Sequence, residues 1–137
     1  SGRFPGGHMR AVLSVTFTVF ICTAAAGQDA PDCANQMDQS TMTQCAGLDF
    51  DKADQELNRI WPEIRDEAKS TDEGTGKTEF LEALMTSQRA WLAYRDAECV
   101  WQGFEAHGGS MEPMLVNACL ADMTSKRIKE LQGRDEQ

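Results

Sequence analysis

The sequence predicts an all-α domain: a small antiparallel three-helix bundle with an irregular N-terminal arm, stapled by two disulfides. Three observations carry that expectation. Apolar residues recur at spacings of three and four over long stretches. No run alternates with period two for long enough to make a strand. Four cysteines remain once an N-terminal leader is set aside, an even count in a chain that reads as exported. At 137 residues the chain holds one domain and is too short for two.

Taken in order, residues 1–9 (SGRFPGGHM) have no periodicity and read as an expression-tag remnant ending on a start methionine. Arg10 and the apolar run Ala11 to Ala26 follow, giving a basic residue, a hydrophobic core and a small-residue end. That is the three-part pattern of a secretory signal peptide over residues 10–26. A membrane span needs about 20 apolar residues, whereas this run has 16, among them three threonines and a serine. Cleavage is expected after Ala26 or Gly27. Cys22 does not read as a lipidation site, because Phe20 and Ile21 stand where small residues normally precede such a cysteine. The expected location is periplasmic or secreted, with no stable membrane insertion after cleavage.

Removing residues 1–27 takes Arg3 and Arg10 and no acid, leaving 11 basic and 22 acidic side chains and a formal charge of −11. Such a chain repels phosphate backbones and anionic lipid, so nucleic acid is not an expected partner. A charge-guided partner would be a cation or a basic protein.

Residues 27–40 are polar, contain Pro31, and read as the irregular arm; the helical domain spans 41–137 with Cys33 tied to it. Ser40 or Thr41 can cap a first helix whose apolar positions are Ala46, Phe50, Ala53, Leu57, Ile60 and Ile64. Pro62 removes a backbone donor, so it should kink this helix a turn before its end or stop it. Ser70 to Lys77 (STDEGTGK) reads as a turn. A second helix runs from about Thr78 to Phe104, with Leu81, Leu84, Gln88, Trp91, Arg95 and Cys99 on one stripe. His107-Gly108-Gly109-Ser110 breaks it. Glu112-Pro113 opens a third helix, since proline is tolerated in a first turn. Its inward stripe is expected to be Met114, Ala118, Ala121, Ser125 and Ile128, with Leu131 near the end and Gly133 closing it.

Cys33, Cys45, Cys99 and Cys119 allow three pairings, and spacing alone does not choose. Short loops make neighbouring helices antiparallel, which gathers all four at one end of the bundle. Cys99 and Cys119 then face each other across the second turn, and Cys33 folds its arm onto Cys45. Zinc is disfavoured by the lack of any Cys-x-x-Cys pair and by a single histidine, His107, after the leader. Asp49, Asp51 and Asp54 sit in a helical pattern rather than a calcium loop. No metal or cofactor is expected. No nucleophile motif or paired metal histidines occur, so no catalytic residues are assigned and the chain does not read as an enzyme.

Cys33 with Cys45, Asp54-x-x-Leu57-Asn58, Gln88-Arg89-Ala90-Trp91-x-x-Tyr94-Arg95-Asp96-x-x-Cys99, Cys119-Leu120, and Arg127 with Leu131 together resemble the LprI-type lysozyme inhibitor family, over roughly Asp32 to Leu131. The resemblance implies a small disulfide-linked helical domain in a bacterial envelope protein, with a basic lysozyme-type enzyme as partner. Within the motif, the residue chemistry reads as structural: Trp91 fills the core, and Arg95 lays its stem over apolar surface while pairing with Asp96, Glu98 or Asp54. The candidate partner-binding segment is the inter-helix loop His107, Gly108, Gly109, Ser110 and Met111. A second function class is a non-enzymatic envelope module that binds another exported protein through exposed Trp61, Trp101 or Phe104. An accessible apolar patch at Trp101 and Phe104 would favour this second class, and a projecting Gly-Gly loop on a dry bundle end the first.

Overall fold

The computed structural model describes residues 30–35 and 37–133. The tag remnant, the signal segment 10–26 and the start of the arm lie outside the described residues, as does 134–137. The elements are α1 (Gln39–Thr75), α2 (Glu79–Gly103), a 3-10 turn (Phe104–Ala106) and α3 (Glu112–Gln132), with no strand among the described residues. The helices run down, up and down, and α1 packs more extensively on α3 than on α2. This is the expected all-α three-helix bundle.

The cap of α1 is Asp38, not Ser40 or Thr41. Its Oδ1 accepts the Thr41 backbone N–H at 2.9 Å and its Oδ2 accepts the Thr41 hydroxyl at 2.7 Å. The cap thus falls two positions before Ser40, and Asp38 takes the third amide of the first turn, that of Thr41.

Pro62 neither stops the helix nor marks a point close to its end. α1 continues to Thr75, so most of the stretch expected as a turn is helical, and Gly76 closes it in the left-handed region at φ 68°. An interior proline costs about 3 kcal/mol; tertiary contacts downstream outweigh that. Ile64 and Ala68 pack on the core of Leu57, Ile60, Leu84 and Leu131. Further on, buried Asp72 accepts the backbone N–H groups of Phe80 at 2.9 Å and Leu81 at 3.1 Å. Thr78 makes no side-chain cap for α2, so the last turns of α1 supply the cap from a neighbouring helix.

In α2 the expected stripe holds: Leu84, Gln88, Arg95 and Cys99 are buried, and Leu81 and Trp91 half-buried. In α3 it holds in part: Met114, Ala121 and Ile128 are half-buried, with Ile128 packed on the core, but Ala118 and Ser125 are exposed, and the buried residues are Cys119, Thr124, Arg127 and Leu131. The inward face of α3 carries polar side chains that a search for apolar spacing passes over. Both disulfides join the expected partners, Cys33–Cys45 and Cys99–Cys119, with Cα separations of 5.7 and 5.4 Å.

Candidate partner-binding site

Between Cys99 and Cys119 the chain reverses direction, and the reversal is tightly specified. Gly103 is buried where α2 meets α3: a Cβ there would stand 2.5 Å from Val116 Cγ2, so a side chain would push the helices apart. The 3-10 turn follows, with the Phe104 and His107 rings 4.5 Å apart. Gly108 takes φ 74°, a region that favours glycine. Its N–H donates to Glu112 Oε2 at 2.7 Å, and His107 Nδ1 lies 3.3 Å from Glu112 Oε1. The Gly109 N–H donates to the Ala106 carbonyl at 2.8 Å. Glu112 thus reaches back from the first turn of α3 to hold the loop. The Gly108 N–H, and after it His107, keep the Glu112 carboxyl below its ordinary pKa. Residues 107–111 are all exposed. In the sequence Glu112 marks a helix start; its place four residues after Gly108 is the local signal for this lock.

The motif residues gather in the middle of the bundle. Arg95 is buried; its Nη1 donates to Thr124 Oγ1 at 3.2 Å and lies 3.6 Å from Asp54, while Nη2 lies 2.8 Å from Asp96. Its guanidinium stacks 5.2 Å from the Trp91 ring and 5.3 Å from Phe50. Arg127, equally buried, stacks 5.6 Å from Trp91 and donates from Nε to Gln88 Oε1 at 3.1 Å and from Nη2 to Ser87 Oγ at 3.2 Å. Glu130 takes its remaining nitrogen at 3.1 Å. Trp91 thus contacts two guanidinium groups, and no buried side-chain nitrogen or oxygen among the described residues lacks a hydrogen bond. Leu57 lies in the adjoining core, and Asn58 donates to Asp54 at 3.1 Å. Tyr94, in the same string, stands apart: it faces solvent at 58% exposure. Thr124 was not singled out from the sequence, because a lone threonine inside a helix carries no pattern of its own.

The Asp54–Arg95–Thr124 level divides the bundle electrostatically. The described residues on the disulfide side (30–54 and 95–124) carry 10 acidic and 2 basic side chains, a formal −8. Those on the far side (55–94 and 125–133) carry 9 acidic and 8 basic, a formal −1. On the disulfide side Trp101 is 69% and Phe104 47% exposed. Trp61 differs from the expectation of an exposed ring, since it packs half-buried against the core. A groove of about 390 Å³ opens on the far side, lined in part by Ile64, Ala68, Phe80, Leu84 and Leu131. Among the described residues no group of three or more His, Cys, Asp or Glu is placed to hold a metal ion.

The family model described as "Lysozyme inhibitor LprI" matches residues 32–131, from the arm before Cys33 to the last core leucine. The chain belongs to the LprI lysozyme inhibitor family. Its LprI domain therefore takes in both disulfides, the Trp91 cluster and the loop between α2 and α3. The chain is also 43% identical over 130 residues to uncharacterized protein R02472 of Rhizobium meliloti (strain 1021), an alignment covering 90% of this chain and 94% of that protein. No solved structure matches it. No described helix is long and apolar enough to cross a membrane.

Proposed function

We propose that the protein is a non-enzymatic, exported inhibitor that binds a lysozyme-type glycosidase in the bacterial envelope or outside the cell. The observation that carries this reading is the family match over residues 32–131. The geometry of the α2–α3 loop supports it physically. Glycosidases of this class work with two carboxylates in a cleft, so an acidic inhibitor must enter that cleft without presenting acids of its own. His107 to Met111 contains no acid, and the Glu112 carboxylate beside it is turned onto the Gly108 N–H. The tip is therefore non-acidic although the half of the bundle that carries it is at −8. That field attracts a basic enzyme over distance, and the hydrogen-bonded loop with the nearby Cys99–Cys119 bond offers a preorganised insert.

A turbidity assay with purified protein and a basic lysozyme tests the reading. Inhibition at micromolar protein is the expected result; an unchanged lysis rate at tens of micromolar overturns it. The exposure of Trp101 and Phe104 favours a second reading, an envelope module that binds another exported protein without inhibiting it. No binding to lysozyme at micromolar concentration would put that reading in place of the first.

A further inference from the structure

We propose that the outer face of α2 is the docking surface for a basic protein partner. A helix in a small bundle normally turns one apolar stripe to the core and a polar face to water. α2 is apolar on both. Opposite the core stripe, Ala90, Tyr94, Ala97, Trp101 and Phe104 recur at spacings of four, three, four and three, and every one of them is exposed. Ala93 and Val100, also exposed, fill the same face. Arg95 is buried on the core side, and on a helical projection the other charged residues in and beside this stretch, Arg89, Asp96, Glu98 and Glu105, fall at its two edges. The result is an uninterrupted apolar strip about 21 Å long at 1.5 Å rise per residue, and contiguous exposed apolar surface of this kind marks an interaction site.

Charge decides what covers it. Val100, Trp101 and Phe104 lie in the half of the bundle that carries −8. A second copy of this chain would bring a second −8 against the first. A basic partner converts the same field into attraction, and its arginine and lysine side chains can stack on the exposed faces of Tyr94, Trp101 and Phe104. Phe104, at the end of the strip, stands ring to ring with His107, the first residue of the loop His107–Met111, at 4.5 Å, so the strip meets the loop, and three of its four charged edge residues are acids. The inference deepens the inhibitor proposal and rests on it for the choice of partner, a basic lysozyme-type enzyme.

The test is surface kinetics on an immobilised basic lysozyme, with the parent protein and the double variant Tyr94→Ser/Trp101→Ser. Both side chains face solvent, so the variant should keep the parent's thermal midpoint. The expected result is a rise in Kd of about 30-fold or more, the scale of a hot-spot loss. A variant that melts like the parent and binds within twofold of it overturns the docking surface and leaves the inhibitor proposal standing. A parent that does not bind overturns the inhibitor proposal and this one with it. Sedimentation of the protein alone should show a monomer at tens of micromolar; a dimer that Trp101→Ser dissolves would name a second copy as the occupant and refute the assignment.

Discussion

Arg95 offers a direct measure of what a buried guanidinium contributes to this fold. It touches Trp91, Phe50 and Thr124 inside the bundle, while its two carboxylate partners, Asp54 and Asp96, remain 42% and 63% exposed. Those acids would recover water if Arg95 were lost, so the ion pairs themselves should contribute little. The stem and the stacking should contribute more. Arg95→Ala deletes two buried methylenes at about 0.8 kcal/mol each, a hydrogen bond to a fully buried hydroxyl worth about 1 kcal/mol, and two ring contacts at roughly 0.5–1 kcal/mol each. Relief from burying a charge offsets part of this. A loss of about 3 kcal/mol is expected, large against the 5–15 kcal/mol total of a small domain. Arg95→Met keeps the stem and places a sulfur against the same rings, so it should cost only about 1 kcal/mol. Urea unfolding of parent and both variants, compared at constant m-value, measures the difference. If Met costs as much as Ala, the charge and not the stem holds the site, and the reasoning fails.

Cys99→Ser should lower stability by about 3 kcal/mol in the chain-entropy model for a separation of 20 residues; non-reducing peptide mapping of the parent should give Cys33–Cys45 and Cys99–Cys119 peptides only, and a Cys45–Cys99 peptide would contradict the fold. The Glu112 carboxyl is held below its ordinary value of 4.5 by the Gly108 N–H and then by His107, and Asp38 is held below 3.8 by the Thr41 amide. A depressed folded pKa gives stability that is present above the unfolded pKa and lost as pH falls through the folded one. The thermal midpoint should therefore drop below about pH 4.5, and Glu112→Gln should flatten that fall; a parallel pH curve for parent and variant would show the lock to be weak. In lysozyme binding, raising salt to about 0.15 M shortens the screening length to roughly 8 Å and should slow association several-fold with little change in dissociation. Bulky replacements at Gly109 and Ser110 should do the reverse and speed dissociation; charge reversals on α1 that abolish binding while loop variants bind like the parent would move the contact to the acidic face.

Local periodicity and loop length were enough to determine the class and topology of this protein. Spacings of three and four along Ala53, Leu57 and Ile60 specify a helix whatever surrounds it, and short loops oblige three helices to alternate. That alternation brings Cys99 to Cys119, and Cys33 on its short arm reaches Cys45. The glycine turn at 107–109 was legible for the same reason: backbone chemistry acts within a few residues. Tertiary structure alone decided the rest. Helix α1 passes through Pro62 because Ile64, Ala68 and Asp72 beyond it are held by other helices, a gain that a local rule cannot count. The inward face of α3 carries Thr124 and Arg127 because Arg95 and Gln88 on α2 stand opposite and satisfy them; burial of a polar group depends on a partner 29 or 39 residues away in sequence. Tyr94 and Trp91 lie three positions apart in one motif, yet one faces water and the other two buried arginines. Which side of a helix is apolar is written in its sequence; α2 is apolar on two sides, and only packing against α1 and α3 chose the side that stays open.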